Sequence, residues 1–148
     1  MAELKLNRRF DAPPEVVFDF VTEPELVLSW WGHDGTTLPD AALDFRAPGP
    51  WHSVMEFADG RRMKMSGQVT RVDRPRRVAF TWAWHDEADR RGRESHVAFD
   101  VAPDEGGGSV LTLTHADLPD AEWASRHERG WGSTLGRLAR RLDRKVST

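Results

Sequence analysis

The residues best suited to chemistry are two histidines placed among apolar neighbours. His115 ends an alternating strand pattern, and His127 lies one helical turn from both Trp123 and Trp131. An imidazole in such surroundings can hydrogen-bond a ligand or move a proton, or it can satisfy a neighbouring backbone group. We expect both histidines to contribute to ligand binding and neither to be catalytic. Burial should lower the pKa of His127, and its neutral ring would offer one donor and one acceptor.

Other arrangements that carry chemistry are missing from the sequence. His127-Glu128 begins like a zinc-protease motif, but Trp131 stands where the second histidine is needed. The chain has no cysteine, which excludes disulfides, thiolate metal sites and a cysteine nucleophile. Nucleophile-elbow and dinucleotide motifs are absent as well. We therefore expect neither a metal nor another cofactor.

Large apolar side chains dominate the predicted interior. The chain has seven tryptophans and no tyrosine, and alternation places Phe80, Trp82 and Trp84 on one face of a strand. Three methionines lie on the neighbouring strands, at Met55, Met63 and Met65. Tryptophans in this number fill a heavy core or line a pocket, and we favour the pocket. Methionine adapts to either place, so the methionines fit core and pocket equally well.

The chain begins with a strand and two short helices. Residues 3–10 alternate apolar and polar side chains, which predicts a strand. We expect Asp11 to cap the first helix at residues 15–21, with Pro14 in its first turn. A second short helix is predicted at residues 25–30.

Residues 36–114 read as about six strands separated by turns. Leu43 and Phe45 mark the first of these strands, and Asp59-Gly60 is a strong hairpin signal. Short strands joined by tight turns pair antiparallel.

Residues 120–145 predict one long helix with a single apolar stripe. The stripe repeats every three or four residues, at Trp123, His127, Trp131, Leu135, Leu138 and Leu142. Gly130, Gly132 and Gly136 each weaken this helix by roughly 1 kcal/mol relative to alanine. We expect them where the helix closely approaches the sheet, and we expect the basic run from Arg137 to Lys145 to be a solvated face.

An antiparallel sheet with one apolar face needs a cover, and this helix alone is long enough to supply it. The sheet must curve around the helix, which leaves a cavity between them. The sequence therefore predicts one α+β domain over residues 1–148.

Composition restricts the partners and the location. The chain has 148 residues, with 21 basic and 24 acidic side chains and a net charge of −3, so no nucleic-acid partner is expected. No apolar run approaches the roughly 20 residues of a membrane span. The N-terminus lacks the apolar region of a signal peptide. We expect a cytoplasmic protein.

Several of these segments together resemble the family of the activator of Hsp90 ATPase, within the START-like (helix-grip) superfamily. The resemblance covers nearly the whole chain. It rests on Ala12-Pro13-Pro14-Glu15-Val16-Val17-Phe18, Trp30-Trp31-Gly32, Gly67-Gln68-Val69, Asp73-Arg74-Pro75, Val78-Ala79-Phe80-Thr81-Trp82, Leu111-Thr112-Leu113-Thr114-His115 and His127-Glu128-Arg129-Gly130-Trp131. The sequence departs from the family at Ala47-Pro48-Gly49-Pro50, where a glycine pair is usual.

The resemblance implies the helix-grip fold and the binding of apolar small molecules. Single-domain members are mostly bacterial. The eukaryotic co-chaperone has an additional N-terminal domain not found in this sequence, so an Hsp90 partnership is not expected.

These observations lead to one leading function and two alternatives. We expect a carrier or sensor that binds an apolar or amphipathic small molecule or lipid between sheet and helix. The alternatives are an enzyme like the polyketide cyclases and dehydratases, and a protein-interaction module. The expected ligand contacts are Trp31, Met55, Met65, Phe80, Trp82, Trp84, Phe99, Leu113, His115, Trp123, His127 and Trp131.

Overall fold

One curved sheet and one long helix form most of the molecule. The computed structural model describes the backbone of residues 1–147 and the side chains of residues 1–143. The strands are β1 (Ala2–Phe10), β2 (Thr37–Ala42), β3 (Gly49–Glu56), β4 (Arg62–Asp73), β5 (Arg77–Trp84), β6 (Ser95–Pro103) and β7 (Ser109–Leu118). The helices are α1 (Pro14–Phe20), α2 (Pro24–Leu28) and α3 (Ala121–Ser147), with a 3₁₀ turn at Glu105–Gly107. The predicted α+β helix-grip architecture is confirmed.

The sheet is antiparallel throughout, in the order β1-β7-β6-β5-β4-β3-β2. Strands β2 to β7 follow one another as a meander, because each pairs with its neighbour along the chain. Strand β1 joins the far edge beside β7. The connection from β1 to β2 must therefore cross from one edge of the sheet to the other, and α1 and α2 lie on that connection.

Helix α3 follows the stripe that the sequence predicts. Its buried positions are His127, Trp131, Thr134, Leu135, Leu138 and Leu142. Asp120 caps its first turn, since its carboxylate accepts a 3.0 Å hydrogen bond from the Trp123 N–H. Trp123 itself remains 38% exposed at the start of the stripe. The predicted helix over residues 120–145 is confirmed.

Of the three glycines in α3, only Gly130 lies where another part of the chain comes close to the helix. That part is the loop that carries His33, and not the sheet. A Cβ at Gly130 would lie 2.6 Å from Nε2 of His33. Nothing lies within 4 Å of such an atom at Gly132, and only the Arg140 side chain lies near Gly136.

Two details near the N-terminus differ from the sequence prediction. Asp11 does not cap α1, because Pro13 occupies the capping position and no side chain caps it; the Asp11 carboxylate contacts Arg9 instead. Leu43 and Phe45 lie beyond the end of β2. Both are buried, and the Phe45 N–H donates to the Thr22 carbonyl oxygen at 3.0 Å. The apolar residues there belong to the core without belonging to the sheet.

The ring of Trp31 lies at the centre of the core. It is 2% exposed, and its indole N–H donates to Oγ of Ser53 at 3.0 Å. Its centroid lies 5.6–5.9 Å from the rings of Phe45, Trp51, Trp82 and Trp131. Tilted and edge-on contacts at such distances are the favoured geometry for aromatic pairs. The loop after α2, the sheet and α3 thus meet at this one side chain.

The loop of residues 31–34 is tied to α3 by the guanidinium of Arg137. One nitrogen, Nη1, donates to the carbonyl oxygens of residues 31, 32 and 33 at 3.1–3.2 Å. Three carbonyls converge here because Gly32 adopts a φ of 95°, a conformation that costs other residues free energy. A positive group offsets the repulsion between the three converging oxygens.

Three further contacts join the same loop to α3. Thr134 Oγ1 donates to the Gly32 carbonyl oxygen at 3.1 Å, and Ser133 Oγ accepts from the Asp34 N–H at 3.0 Å. The Asp34 carboxylate pairs with Arg140 at 2.6 Å. The expectation of a solvated basic face is therefore wrong for Arg137 and Arg141, which are both half-buried. The side chains of Arg144 and Lys145 lie outside the described residues.

We predict that Arg137→Met lowers the free energy of unfolding by about 1–3 kcal/mol, because three carbonyl oxygens lose a charged donor. Urea unfolding at pH 7.5 measures the change. Arg129→Met is the matched control, since Arg129 is exposed on the same helix. Its effect should stay within about 0.5 kcal/mol. Equal losses in the two variants would contradict the role of Arg137.

Candidate functional site

A cavity of about 320 Å³ lies between α3, the loop of residues 31–33 and strands β3 to β5. Eight of the side chains that form its wall are among the twelve expected ligand contacts: Trp31, Met55, Met65, Trp82, Trp84, Trp123, His127 and Trp131. Six more residues complete the lining: Gly32, His33, Met63, Arg126, Gly130 and Thr134. The wall is therefore largely aromatic and thioether surface.

The other four expected contacts lie outside this lining. Phe80, Phe99, Leu113 and His115 are each at most 1% exposed, and they fill the core behind the wall. Strand alternation places them on the correct face of the sheet, but it cannot say how deep a layer they occupy. Trp82 and Trp131 belong to the lining and also contact this core, since their ring centroids lie 5.7 and 6.3 Å from that of His115.

The imidazole of His127 reaches the cavity wall with both nitrogens already engaged. Its Nε2 accepts a 3.1 Å hydrogen bond from the indole N–H of Trp84. An indole nitrogen can only donate, so the ring proton must be on Nδ1, which donates to the Trp123 carbonyl oxygen at 2.9 Å. Burial lowers the pKa of His127, as expected. The free donor and acceptor expected for a ligand are nevertheless both used within the protein.

His115 is locked in the opposite tautomer. Its Nδ1 accepts from the indole N–H of Trp131 at 3.1 Å. Its Nε2 must then carry the proton and donate to Oγ of Ser95 at 2.7 Å, and that hydroxyl donates to the Trp82 carbonyl oxygen at 3.3 Å. Burial, with the neighbouring His127 and His96, lowers the pKa of His115 to about 3. The two imidazole centroids lie 4.8 Å apart, so protonating both rings would bring two positive charges together.

The tryptophans of the wall use their N–H groups unevenly. Trp31, Trp84 and Trp131 each donate to a named acceptor, whereas Nε1 of Trp82 is buried without a partner in the part of the chain whose side chains are described. An unpaired buried donor costs free energy. The ring of Trp82 nonetheless faces the cavity, where it presents apolar surface.

The imidazole with free nitrogens is that of His33, which the sequence reasoning missed. It is half-buried at the cavity, and neither ring nitrogen has a hydrogen-bond partner among the described residues. Burial and the nearby His127 lower the pKa of His33, which favours the neutral ring. The only signal in the sequence was its position directly after Trp31-Gly32.

The charge at the cavity is positive. Arg126 belongs to the lining, and none of the fourteen described lining residues is acidic. Among the residues whose side chains are described, no group of His, Asp and Glu could hold a metal ion. Within the same part of the chain, no helix is long and apolar enough to cross a membrane.

Residues 11–143 match the sequence profile of the family described as Activator of Hsp90 ATPase homolog 1-like protein. The chain belongs to this family. As a member of the Activator of Hsp90 ATPase homolog 1-like family, it has the helix-grip fold that the resemblance implied.

Solved structures extend the comparison. The AHSA1 protein from Silicibacter pomeroyi is 47% identical, with 97% of this chain and 99% of that chain covered and a TM-score of 0.93. A protein from Chromobacterium violaceum is 22% identical over 95% of this chain and 96% of its own, with a TM-score of 0.82, which shows the fold alone. Among curated proteins, none matches the sequence of this chain.

We predict that the protein loses stability as the pH falls from 7.5 to 5. Free histidine titrates near pH 6.5, whereas the folded His115 binds a proton only near pH 3. Below pH 6.5 the unfolded chain therefore binds a proton that the folded chain does not, at a cost of about 1.4 kcal/mol per pH unit. His33 and His127 act in the same direction. Urea unfolding across this range measures the slope.

His115→Gln should make the unfolding free energy depend less steeply on pH, by up to about 1.4 kcal/mol per pH unit, which is the contribution of one proton. The ¹⁵N shifts of the wild-type rings give a second test that requires no variant: His115 should remain the Nε2–H tautomer at pH 5, and His127 should be the Nδ1–H tautomer at pH 7.5. An unfolding free energy that is the same at pH 7.5 and pH 5, or a protonated His115 at pH 5, would contradict the locked pair.

Proposed function

We propose that this protein binds an apolar or amphipathic small molecule in the cavity between α3 and the sheet, as a carrier or sensor. The observation that carries the proposal is a 320 Å³ cavity whose wall is built mainly from tryptophan and methionine. Binding is favourable when an apolar ligand replaces water against apolar walls of this kind.

The volume limits the size of the ligand. A water molecule occupies about 30 Å³ in the liquid, so the cavity holds the equivalent of about ten waters, or roughly 10–15 non-hydrogen atoms of an organic molecule. Each 100 Å² of apolar ligand surface buried here contributes about 2.5 kcal/mol before the cost of association. A molecule of this size can therefore bind measurably through apolar contact.

The composition of the wall favours some breadth of ligands. Met55, Met63 and Met65 cover one side of the cavity. Unbranched thioether side chains change rotamer at little cost and fit ligands of different outline. Hydrogen bonds hold the rings of Trp31, Trp84 and Trp131, so these tryptophans offer flat, apolar ligands a fixed surface.

An enzymatic role finds less support. The two histidines first considered for acid–base work have both nitrogens engaged inside the protein. A cyclase-like reaction would have to use His33, with no carboxylate among the described lining residues to assist it.

A partnership with Hsp90, which the family description names, finds no support in the exposed surface. The large apolar side chains exposed among the described residues are Met1, Leu28 and Trp123, and they do not form a broad docking face.

We further propose a cytoplasmic location, which the cysteine-free composition favours.

We predict that Trp123→Ala weakens the binding of the uncharged fluorophore 1-naphthylamine roughly fivefold. Removing about 40 Å² of contact costs about 1 kcal/mol. The hydrogen bond from His127 survives, because it uses the backbone oxygen of residue 123. Fluorescence titration, with quenching of tryptophan emission as the second signal, measures the affinity.

Leu28→Ala is the control, since Leu28 is also exposed, at 43%, but lies away from the cavity. The Leu28→Ala variant should bind the fluorophore as tightly as the wild type does. Binding that is absent in the wild type, or that weakens equally in both variants, would overturn the proposed use of the cavity.

A further inference from the structure

Two polar side chains of the cavity wall, Arg126 and His33, have hydrogen-bonding groups without a partner among the described residues. Arg126 lies one helical turn before Gly130 on α3, so the two residues share a face of the helix. His33 meets that face at Gly130, where a Cβ would lie 2.6 Å from its Nε2. The absence of a side chain at Gly130 thus lets the imidazole come close to α3, one turn after Arg126 along the helix.

Arg126 keeps donors available for a ligand. Its Nη2 donates to Glu122 at 2.7 Å, and its guanidinium lies 5.8 Å from the centre of the Trp123 ring. Nε and Nη1 have no partner among the described residues. The ion pair with Glu122 is exposed, at 57% for Arg126 and 73% for Glu122, and exposed pairs are weak. A second carboxylate can therefore share or replace Glu122.

His33 adds an uncharged donor to the same cavity wall. The neutral imidazole has one N–H, and neither nitrogen is engaged among the described residues. Together the two side chains offer a charged fork and one more donor at the rim of an otherwise apolar space. A carboxylate, planar and rich in acceptors, matches that set.

We propose that the ligand of this cavity is an apolar molecule with a terminal carboxylate, which Arg126 and His33 bind while the apolar body lies against the tryptophan wall. This inference rests on the proposed binding function and specifies its ligand. A cage of tryptophans can also attract an organic cation. Arg126 opposes that choice, because its positive charge belongs to the lining, whereas Glu122, the carboxylate that pairs with it, lies outside the lining.

Two probes of the same shape test the inference. Naphthalene-2-carboxylate and naphthalene-2-carboxamide have the same non-hydrogen outline and differ in charge. Calorimetric titration at pH 7.5 and low salt should show the carboxylate binding at least fivefold more tightly. Arg126→Gln should abolish this preference and leave the carboxamide affinity within twofold. Arg129→Gln, which removes the same charge from an exposed site on the same helix, should keep the preference.

Two further variants distinguish direct contact from a general effect of charge. Glu122→Gln removes the competitor for Arg126 and should strengthen carboxylate binding two- to threefold without changing carboxamide binding. His33→Phe should weaken carboxylate binding more than His33→Gln, which retains a donor.

The possible results distinguish failure of the carboxylate assignment from failure of the proposed binding function. Equal affinity of the wild type for both probes, or equal loss of the preference in the Arg126 and Arg129 variants, would overturn the carboxylate assignment while the cavity still binds apolar molecules. Tighter binding of naphthalen-2-ylmethylammonium than of the carboxylate would also overturn it. Failure of every probe to bind would overturn the proposed function itself.

Discussion

The attachment of the loop at residues 31–34 to helix α3 is the contact on which the cavity depends. Arg137 gathers three carbonyl oxygens of that loop, and the positive φ of Gly32 turns them toward it. This arrangement fixes Trp31 in the centre of the core and His33 at the cavity. Without it, neither the side of the cavity that the loop forms nor the close approach at Gly130 would be defined. A half-buried polar contact here determines the shape of an apolar cavity.

The second constraint is the way that indole donors fix the two buried histidines. Trp84 and Trp131 can only donate, so each compels the imidazole nitrogen it meets to accept. The remaining nitrogens donate to a backbone oxygen and to Ser95. A polar network that is fully satisfied in this way rigidifies its surroundings. The histidines therefore hold the tryptophan wall in place, and the groups free to meet a ligand are Arg126 and His33.

Much of this architecture could be predicted from the sequence, because it follows from periodicity. The stripe from His127 to Leu142 predicted α3, and strand alternation predicted which side of each strand faces inward. Periodicity cannot show how deeply a residue on the inner face is buried, or which hydrogen-bond partners it meets. It assigned Phe80 and Trp82 to one face without separating the core residue from the cavity residue. It also gave no sign that the neighbours of His127 would occupy both of its nitrogens, or that His33, in a loop without a pattern, would be the free imidazole.

The most direct test of a ligand-binding cavity is the NMR spectrum of the methionine methyl groups. The chain has four methionines; Met55, Met63 and Met65 line the cavity, and Met1 is 83% exposed at the N-terminus. In protein labelled at these methyls, adding naphthalene-2-carboxamide should shift the three cavity signals through the ring current of the probe and leave the Met1 signal in place. No shift at any methyl, or a shift at Met1 alone, would contradict binding in the cavity.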